Sequence, residues 1–194
     1  SIAPSCVCAT PVDFAVMRNR LLPSGMAALA GLITGPVDAL ELRVEGTHFV
    51  ATGTDGAVLR GPDLVGTEID MDHGITLHID GVRRDRDDPD ILLHRFRVRQ
   101  DSAPWHDLCE PDREGRREGF PLPGRWDETG RFHPDKKHFA LTGTSGAQAK
   151  CVRFGYKPWL TDAAGNSLLP LYEACVQAVR ADYCGDGESH TKDG

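Results

Sequence analysis

Between residues 37 and 100, short apolar segments alternate with pairs of residues that favour turns. The first segment is the clearest, because Leu40, Leu42 and Val44 alternate with charged residues, and a period of two residues indicates a half-buried strand. Similar segments are 49–52, 57–60, 64–72, 75–79 and 91–98, separated by Glu45-Gly46, Asp55-Gly56, Gly61-Pro62, His73-Gly74 and Asp80-Gly81. Strands this short predict an antiparallel β-sandwich or small barrel over about residues 37–100.

The final third of the chain changes to a helical pattern. A first helix is predicted over residues 146–154, with Thr144 or Ser145 as its cap and Gly155 as its stop. A second helix is predicted after residue 167, where apolar residues recur at the spacing of a buried helical face. These residues are Leu168, Leu171, Tyr172, Cys175, Val176 and Val179.

Strands that precede helices define an α+β fold. We therefore expect a single α+β domain over residues 37–194, in which the two C-terminal helices follow the sandwich or barrel. Residues 1–36 are expected to form a lead-in segment, because Pro and Gly interrupt every pattern there.

The charge of the chain argues against nucleic acid as a partner. Its 22 basic and 29 acidic residues give a net charge of −7, whereas proteins that bind a phosphate backbone carry a positive excess. The densest charged run, residues 83–90, mixes both signs and predicts a solvated hairpin tip. No apolar run is long enough to cross a membrane. The first residue is Ser, so we expect that an upstream segment has been removed or omitted, and a signal peptide is the expected segment.

The six cysteines favour disulfide bonds and an oxidising compartment outside the cytoplasm. They are Cys6, Cys8, Cys109, Cys151, Cys175 and Cys184, and no Cys-x-x-Cys pair suggests a zinc site. The preferred disulfide is Cys175–Cys184, which can form only if the second predicted helix ends near Ala181 and the chain turns back. The alternatives are Cys151–Cys175 and Cys151–Cys184.

Two segments near the C-terminus carry a family resemblance. Residues 149–159 read Ala-Lys-Cys-Val-Arg-Phe-Gly-Tyr-Lys-Pro-Trp, and residues 181–187 read Ala-Asp-Tyr-Cys-Gly-Asp-Gly. Together with residues 105–109 and 123–127, they resemble the bacterial domain named after its Ala-Asp-Tyr-Cys motif, the ADYC domain. The resemblance covers about residues 40–194 and implies an exported envelope protein, with no catalytic residue to carry over.

The chain departs from this family in two places. Members have a Cys at the position of Gly143, which implies that Cys151 takes another partner, such as Cys109, Cys6 or Cys8. The family domain also continues beyond the position of Gly194. Either the chain was shortened there, or a precursor is cleaved after Gly194.

The densest group of polar residues follows the second helix and consists of Asp182, Asp186, Glu188, His190 and Asp193. Carboxylates along a Gly-rich loop can bind Ca²⁺, for which the candidate ligands are Asp182, Asp186, Glu188 and Asp193. The candidate catalytic residues of a hydrolase are Asp182, Asp186 and His190. The alternative is a loop at a helix end that holds no cofactor.

The leading hypothesis is a disulfide-stabilised binding or structural module that is secreted, periplasmic or associated with the outer membrane. Its partner would be an unknown protein or a ligand of the envelope. The alternative is a hydrolytic enzyme, in one version the N-terminal fragment of a precursor that cleaves itself after Gly194 and frees a Thr or Ser nucleophile.

Overall fold

The computed structural model describes the backbone of residues 7–8 and 16–18, and residues 41–126, 131–135, 138–184 and 188–190 in full. The strands in this part of the chain are β1 Val7–Cys8, β2 Val16–Arg18, β3 Glu41–Glu45, β4 His48–Thr52, β5 Val58–Arg60, β6 Glu68–Asp70, β7 Ile75–Arg84, β8 Leu92–Gln100, β9 His106–Asp107, β10 Gly119–Pro123, β11 Arg125–Trp126, β12 Phe132–His133 and β13 Phe139–Gly143. The helices are α1 Ala147–Arg153 and α2 Leu169–Arg180, with short 3₁₀ helices at Gly61–Leu64 and Asp72–Gly74. No helix in the described ranges is long and apolar enough to cross a membrane.

An eight-stranded antiparallel sheet forms the centre of the fold. Its strand order is β1-β13-β10-β8-β7-β6-β2, and β9 pairs with β8 beside this path. A second sheet contains β3, β4 and β5, and a ribbon joins β11 to β12. Among the described strands the ends of the large sheet, β1 and β2, do not pair with each other, so the sandwich is formed rather than the closed barrel.

The large sheet separates two hydrophobic cores. On one face, Phe49 and Ala51 of β4 pack against Leu77, Ile79 and Phe96, with related apolar residues around them. On the other face lie the helices, whose buried residues Ala149, Val152, Tyr172 and Val176 meet Leu93, Phe120, Leu122 and Ala140 of the sheet. The predicted α+β fold with two late helices is therefore confirmed.

The structure adds strand β10, which the sequence pattern does not show. Its residues 119–122 are all buried, so no alternation of polar and apolar side chains marks it. It pairs with β13 at five positions but with β8 only at Gly119 and His94, because Pro121 and Pro123 have no N–H to donate. Gly119 is required there, since a Cβ would lie 2.3 Å from the carbonyl oxygen of Thr142.

Three local predictions are corrected. Asp80-Gly81 is not a turn, because β7 continues through it with a bulge between Ile79 and Gly81. Neither Thr144 nor Ser145 caps α1, whose N-cap residue is Gly146 without a side-chain hydrogen bond. On α2 the buried face is narrower than predicted, since Leu171 and Val179 are exposed.

The preferred disulfide pair, Cys175–Cys184, is wrong, whereas the alternative Cys151–Cys175 is confirmed. The pairing of Cys151 with Cys109, Cys6 or Cys8 that the resemblance implied is wrong too. Cys175 bonds to Cys151, with Cα atoms 5.9 Å apart, and not to Cys184. Although α2 ends where predicted, with Ala181 at φ 55°, Cys175 lies on the side of α2 that packs against α1. Helix packing, rather than proximity along the chain, therefore selects the partner.

The remaining cysteines lie elsewhere. Cys184 is exposed and forms no disulfide with any described residue, and Cys109 is buried. The side chains of Cys6 and Cys8 lie outside the described residues. A Cβ at Gly143, where the resemblance implies a Cys, would lie 3.4 Å from the Cβ of Cys109, so this position faces Cys109.

Within the predicted lead-in, β1 and β2 pair with β13 and β6, and so they form the two ends of the large sheet. The rest of residues 1–36 lies outside the described residues, and the boundary at residue 37 stays a prediction.

Candidate functional site

The charged hairpin tip between β7 and β8 is bound to the helices. The Arg153 Nε atom of α1 donates to Asp85 Oδ2 at 2.6 Å, and the backbone N–H of Asp87 donates to Asp85 Oδ1 at 3.0 Å. Asp85 itself is buried. Burial acts to raise the pKa of Asp85, but the N–H of Asp87 and the Arg153 guanidinium outweigh it, and the pKa lies below its ordinary value.

A second ion pair joins the tip to the turn that follows α1. Lys157 Nζ lies 2.7 Å from Asp88 Oδ2, and the lysine side chain is almost fully buried. This turn begins at Gly155, whose φ of 98° ends α1 as predicted. The predicted hairpin tip is confirmed and most of its residues are exposed, but its Asp85 and Asp88 carboxylates pair with cations distant in sequence.

The family motif over residues 149–159 thus has a structural explanation. Cys151 forms the disulfide, while Arg153 and Lys157 hold the hairpin tip. Trp159 packs on the β3–β4 turn, where a Cβ at Gly46 would lie 3.4 Å from the indole ring. These side chains attach the helices to the sheet, so their contacts indicate a structural role rather than a catalytic one.

A chain of ion pairs extends from the hairpin to the turn between β9 and β10. Arg83 Nε donates to Glu118 Oε1 at 2.7 Å, and Arg116 lies between Glu118 and Asp112, with its Nη2 atom 3.1 Å from Asp112 Oδ2. Glu114 also pairs with Arg116. Burial acts to raise the pKa of Asp112, but the N–H groups of Arg116 and Glu114 and the Arg116 side chain keep it below its ordinary value.

Beside this chain of ion pairs lies a cleft of about 640 Å³. One wall is the turn at residues 111–116, and the other consists of residues 144–145, parts of α1 with Phe154, and Val179 of α2. Four cations, two carboxylates, two hydroxyl groups and several apolar side chains line it. The size and mixed lining are typical of a site for a small ligand. We refer to it as the α1 cleft.

The α1 cleft was not predicted from the sequence. Its walls come from three segments separated by about 25 residues or more, and no short motif brings them together. The only signal in the sequence was the cluster of basic residues in the motif at 149–159, to which Lys150 and Arg153 belong.

The predicted C-terminal site is only partly described. Asp182 is buried at the end of α2, whereas Glu188 and His190 are exposed. The backbone N–H of His190 donates to the carbonyl of Ala181 at 2.9 Å, so the chain folds back onto the helix end. No metal-binding group of His, Cys, Asp and Glu occurs among the described residues. Since Asp186 and Asp193 lie outside them, the calcium and catalytic hypotheses stay predictions.

The tryptophans also lie away from the α1 cleft. Trp126 packs against Tyr172 and Phe132 in the core. Trp105 packs on side chains of β7 and β8, with its ring centroid 5.6 Å from that of His78 and 4.4 Å from the Arg99 guanidinium carbon. None of the three tryptophans lines the α1 cleft.

A family model described as the ADYC domain matches residues 61–194. This range contains the hairpin tip, both motif segments and every residue that lines the α1 cleft. No curated protein and no solved structure matches the chain. Because the matched range is more than half of the sequence, the chain belongs to the ADYC domain family.

Proposed function

We propose that this protein is an exported, non-catalytic binding module that works in the periplasm, at the outer membrane or in the medium. The observation that carries the proposal is the Cys151–Cys175 disulfide between α1 and α2. A structural disulfide of this kind persists outside the reducing cytoplasm.

The arrangement of the motif residues supports binding rather than catalysis. Cys151, Arg153 and Lys157 fix the helices to the sheet, and the side of α1 turned away from the core lines the α1 cleft. A rigid wall beside a cleft suits recognition, because little conformational entropy is lost when a ligand binds.

The redox state of the native protein tests this proposal. Protein from the cells that produce it is denatured in acid, alkylated without reductant, digested and analysed by mass spectrometry. We expect a linked peptide pair that contains Cys151 and Cys175, and recovery of the protein outside the cytoplasm. Cys184 provides the internal control, because it is exposed, forms no disulfide with any described residue and is expected to be recovered in alkylated form. Full alkylation of Cys151 and Cys175 in unreduced native material would contradict export.

A further inference from the structure

We propose that the α1 cleft binds an organic anion, in which a carboxylate or phosphate group is carried on an apolar body. This inference rests on the proposed function and names the ligand class of the binding module. It follows from the charge, the unused polar groups and the apolar surface of the cleft.

The lining of the cleft is positive in a protein that is negative as a whole. Arg113, Arg116, Lys150 and Arg153 face two carboxylates, Asp112 and Glu114, which leaves an excess of two positive charges. The whole chain has a net charge of −7. A local positive excess in a concave surface attracts anions and repels cations.

Two of the four cations are available to a ligand. Arg153 is held by Asp85, and Arg116 is held by Asp112 and Glu114. In contrast, Lys150 and Arg113 make no ion pair with any residue in the described ranges. Their ammonium and guanidinium groups can therefore donate to anionic oxygens without the loss of an existing bond.

A buried hydroxyl group points to the same kind of ligand. Thr144 lines the cleft and is only 4% exposed, yet its Oγ1 atom has no hydrogen-bond partner in the part of the chain that the structure describes. A buried O–H group without a partner costs about 1–3 kcal/mol. An anionic oxygen in the cleft would accept this hydrogen, and the neighbouring Ser145 supplies a second hydroxyl.

The apolar part of the lining indicates more than an inorganic ion. Phe154 is 66% exposed and Val179 is 39% exposed, and both lie on the helical wall of the cleft. Covering such surface contributes about 25 cal/mol per Å². A volume of about 640 Å³ also far exceeds that of a single phosphate ion and leaves room for an apolar body.

Phenyl phosphate is the probe, because it combines an anionic group with an aromatic ring. Titration into the full chain is followed by two-dimensional NMR of backbone amides. We expect saturable shifts of the Thr144, Ser145 and Lys150 amides, with a Kd in the millimolar range. Inorganic phosphate and benzyl alcohol should each bind at least about fivefold more weakly, since each lacks one of the two parts.

Lys150→Gln should raise the Kd for phenyl phosphate about tenfold, the effect of one lost charge-assisted hydrogen bond. The control is Arg125→Gln, which changes net charge equally at an exposed residue of β11 outside the cleft. Its Kd should stay within about twofold of the wild-type value. Since Lys150 is exposed, both variants are expected to fold, and their melting temperatures verify this.

Four results would overturn the inference. They are the absence of saturable binding, shifts confined to other regions, equal effects of Lys150→Gln and Arg125→Gln, and equal affinity for phenyl phosphate and either comparator. If the Cys151–Cys175 bond is present in native protein and phenyl phosphate fails to bind, the ligand class is wrong but export stands. If that bond is absent, the proposed function fails whatever the cleft binds.

Discussion

Removal of the Cys151–Cys175 disulfide should destabilise the protein substantially. The two residues are 24 positions apart, so the bond closes a loop of about 25 residues in the unfolded chain. The loop-closure relation then gives about 3.5 kcal/mol at 25 °C. For a chain of this size, that loss lowers the melting temperature by about 7–14 °C.

The double variant Cys151→Ala/Cys175→Ala measures this loss without leaving an unpaired thiol from the broken bond. Urea unfolding, followed by tryptophan fluorescence, gives the free energy of unfolding under non-reducing conditions. Cys184→Ala is the matched control. Because Cys184 is exposed and forms no disulfide in the described structure, its replacement should change the free energy of unfolding by less than about 0.5 kcal/mol.

The rival pairing, Cys175–Cys184, would close a loop of about ten residues and contribute about 2.7 kcal/mol. The two magnitudes are close, so the identity of the sensitive residue decides between them. A large loss in Cys184→Ala, together with a small loss in Cys151→Ala, would refute the Cys151–Cys175 pairing and, with it, the conclusion that helix packing selects the partner of Cys175.

Two further predictions concern buried ionisable groups. Arg153→Met should lower the free energy of unfolding by about 3 kcal/mol, because it leaves the buried Asp85 carboxylate without its ion-pair partner. Adding Asp85→Asn to this variant should restore part of the lost free energy. A loss below about 0.5 kcal/mol for Arg153→Met in denaturant unfolding would contradict the pairing. Burial of the fully enclosed His94 lowers its pKa from 6.5 to about 4. Below pH 6.5 His94 is therefore protonated in the unfolded chain but stays neutral in the folded chain. As a result, the free energy of unfolding falls by about 3 kcal/mol between pH 6.5 and pH 4. His94→Leu should remove this part of the pH dependence. If the free energy of unfolding falls equally with pH in the variant and in the wild-type protein, the contribution of His94 is excluded.

Local patterns succeed where the determining contacts are close in sequence. The Glu45-Gly46 turn joins β3 to β4 because Gly46 adopts a φ of 62°, and Gly155 ends α1 in the same way. On β6 the Glu68 carboxylate lies on the polar side of a strand whose central residue, Ile69, is buried. Each of these features depends on residues only a few positions apart.

The candidate site could not be predicted in this way. Asp85 and Arg153 are 68 positions apart, and each alone is an ordinary surface residue type. The α1 cleft forms because the fold places α1 beside the turn at residues 111–116, which is distant from it in sequence. The predicted residues Asp182, Glu188 and His190 cluster in sequence, but their exposure differs once the chain is folded.

The sequence by itself determined that strands precede the two helices, where most turns of residues 41–100 lie and that the chain belongs to the ADYC family, since these depend on short segments and on local motifs. Tertiary structure alone decided that Cys175 pairs with Cys151, that β10 lies inside the large sheet and that two carboxylates of the hairpin tip pair with Arg153 and Lys157. The physical reason is that these choices depend on which distant surfaces pack together. Burial and ion pairing across the fold then outweigh the local preferences of each segment.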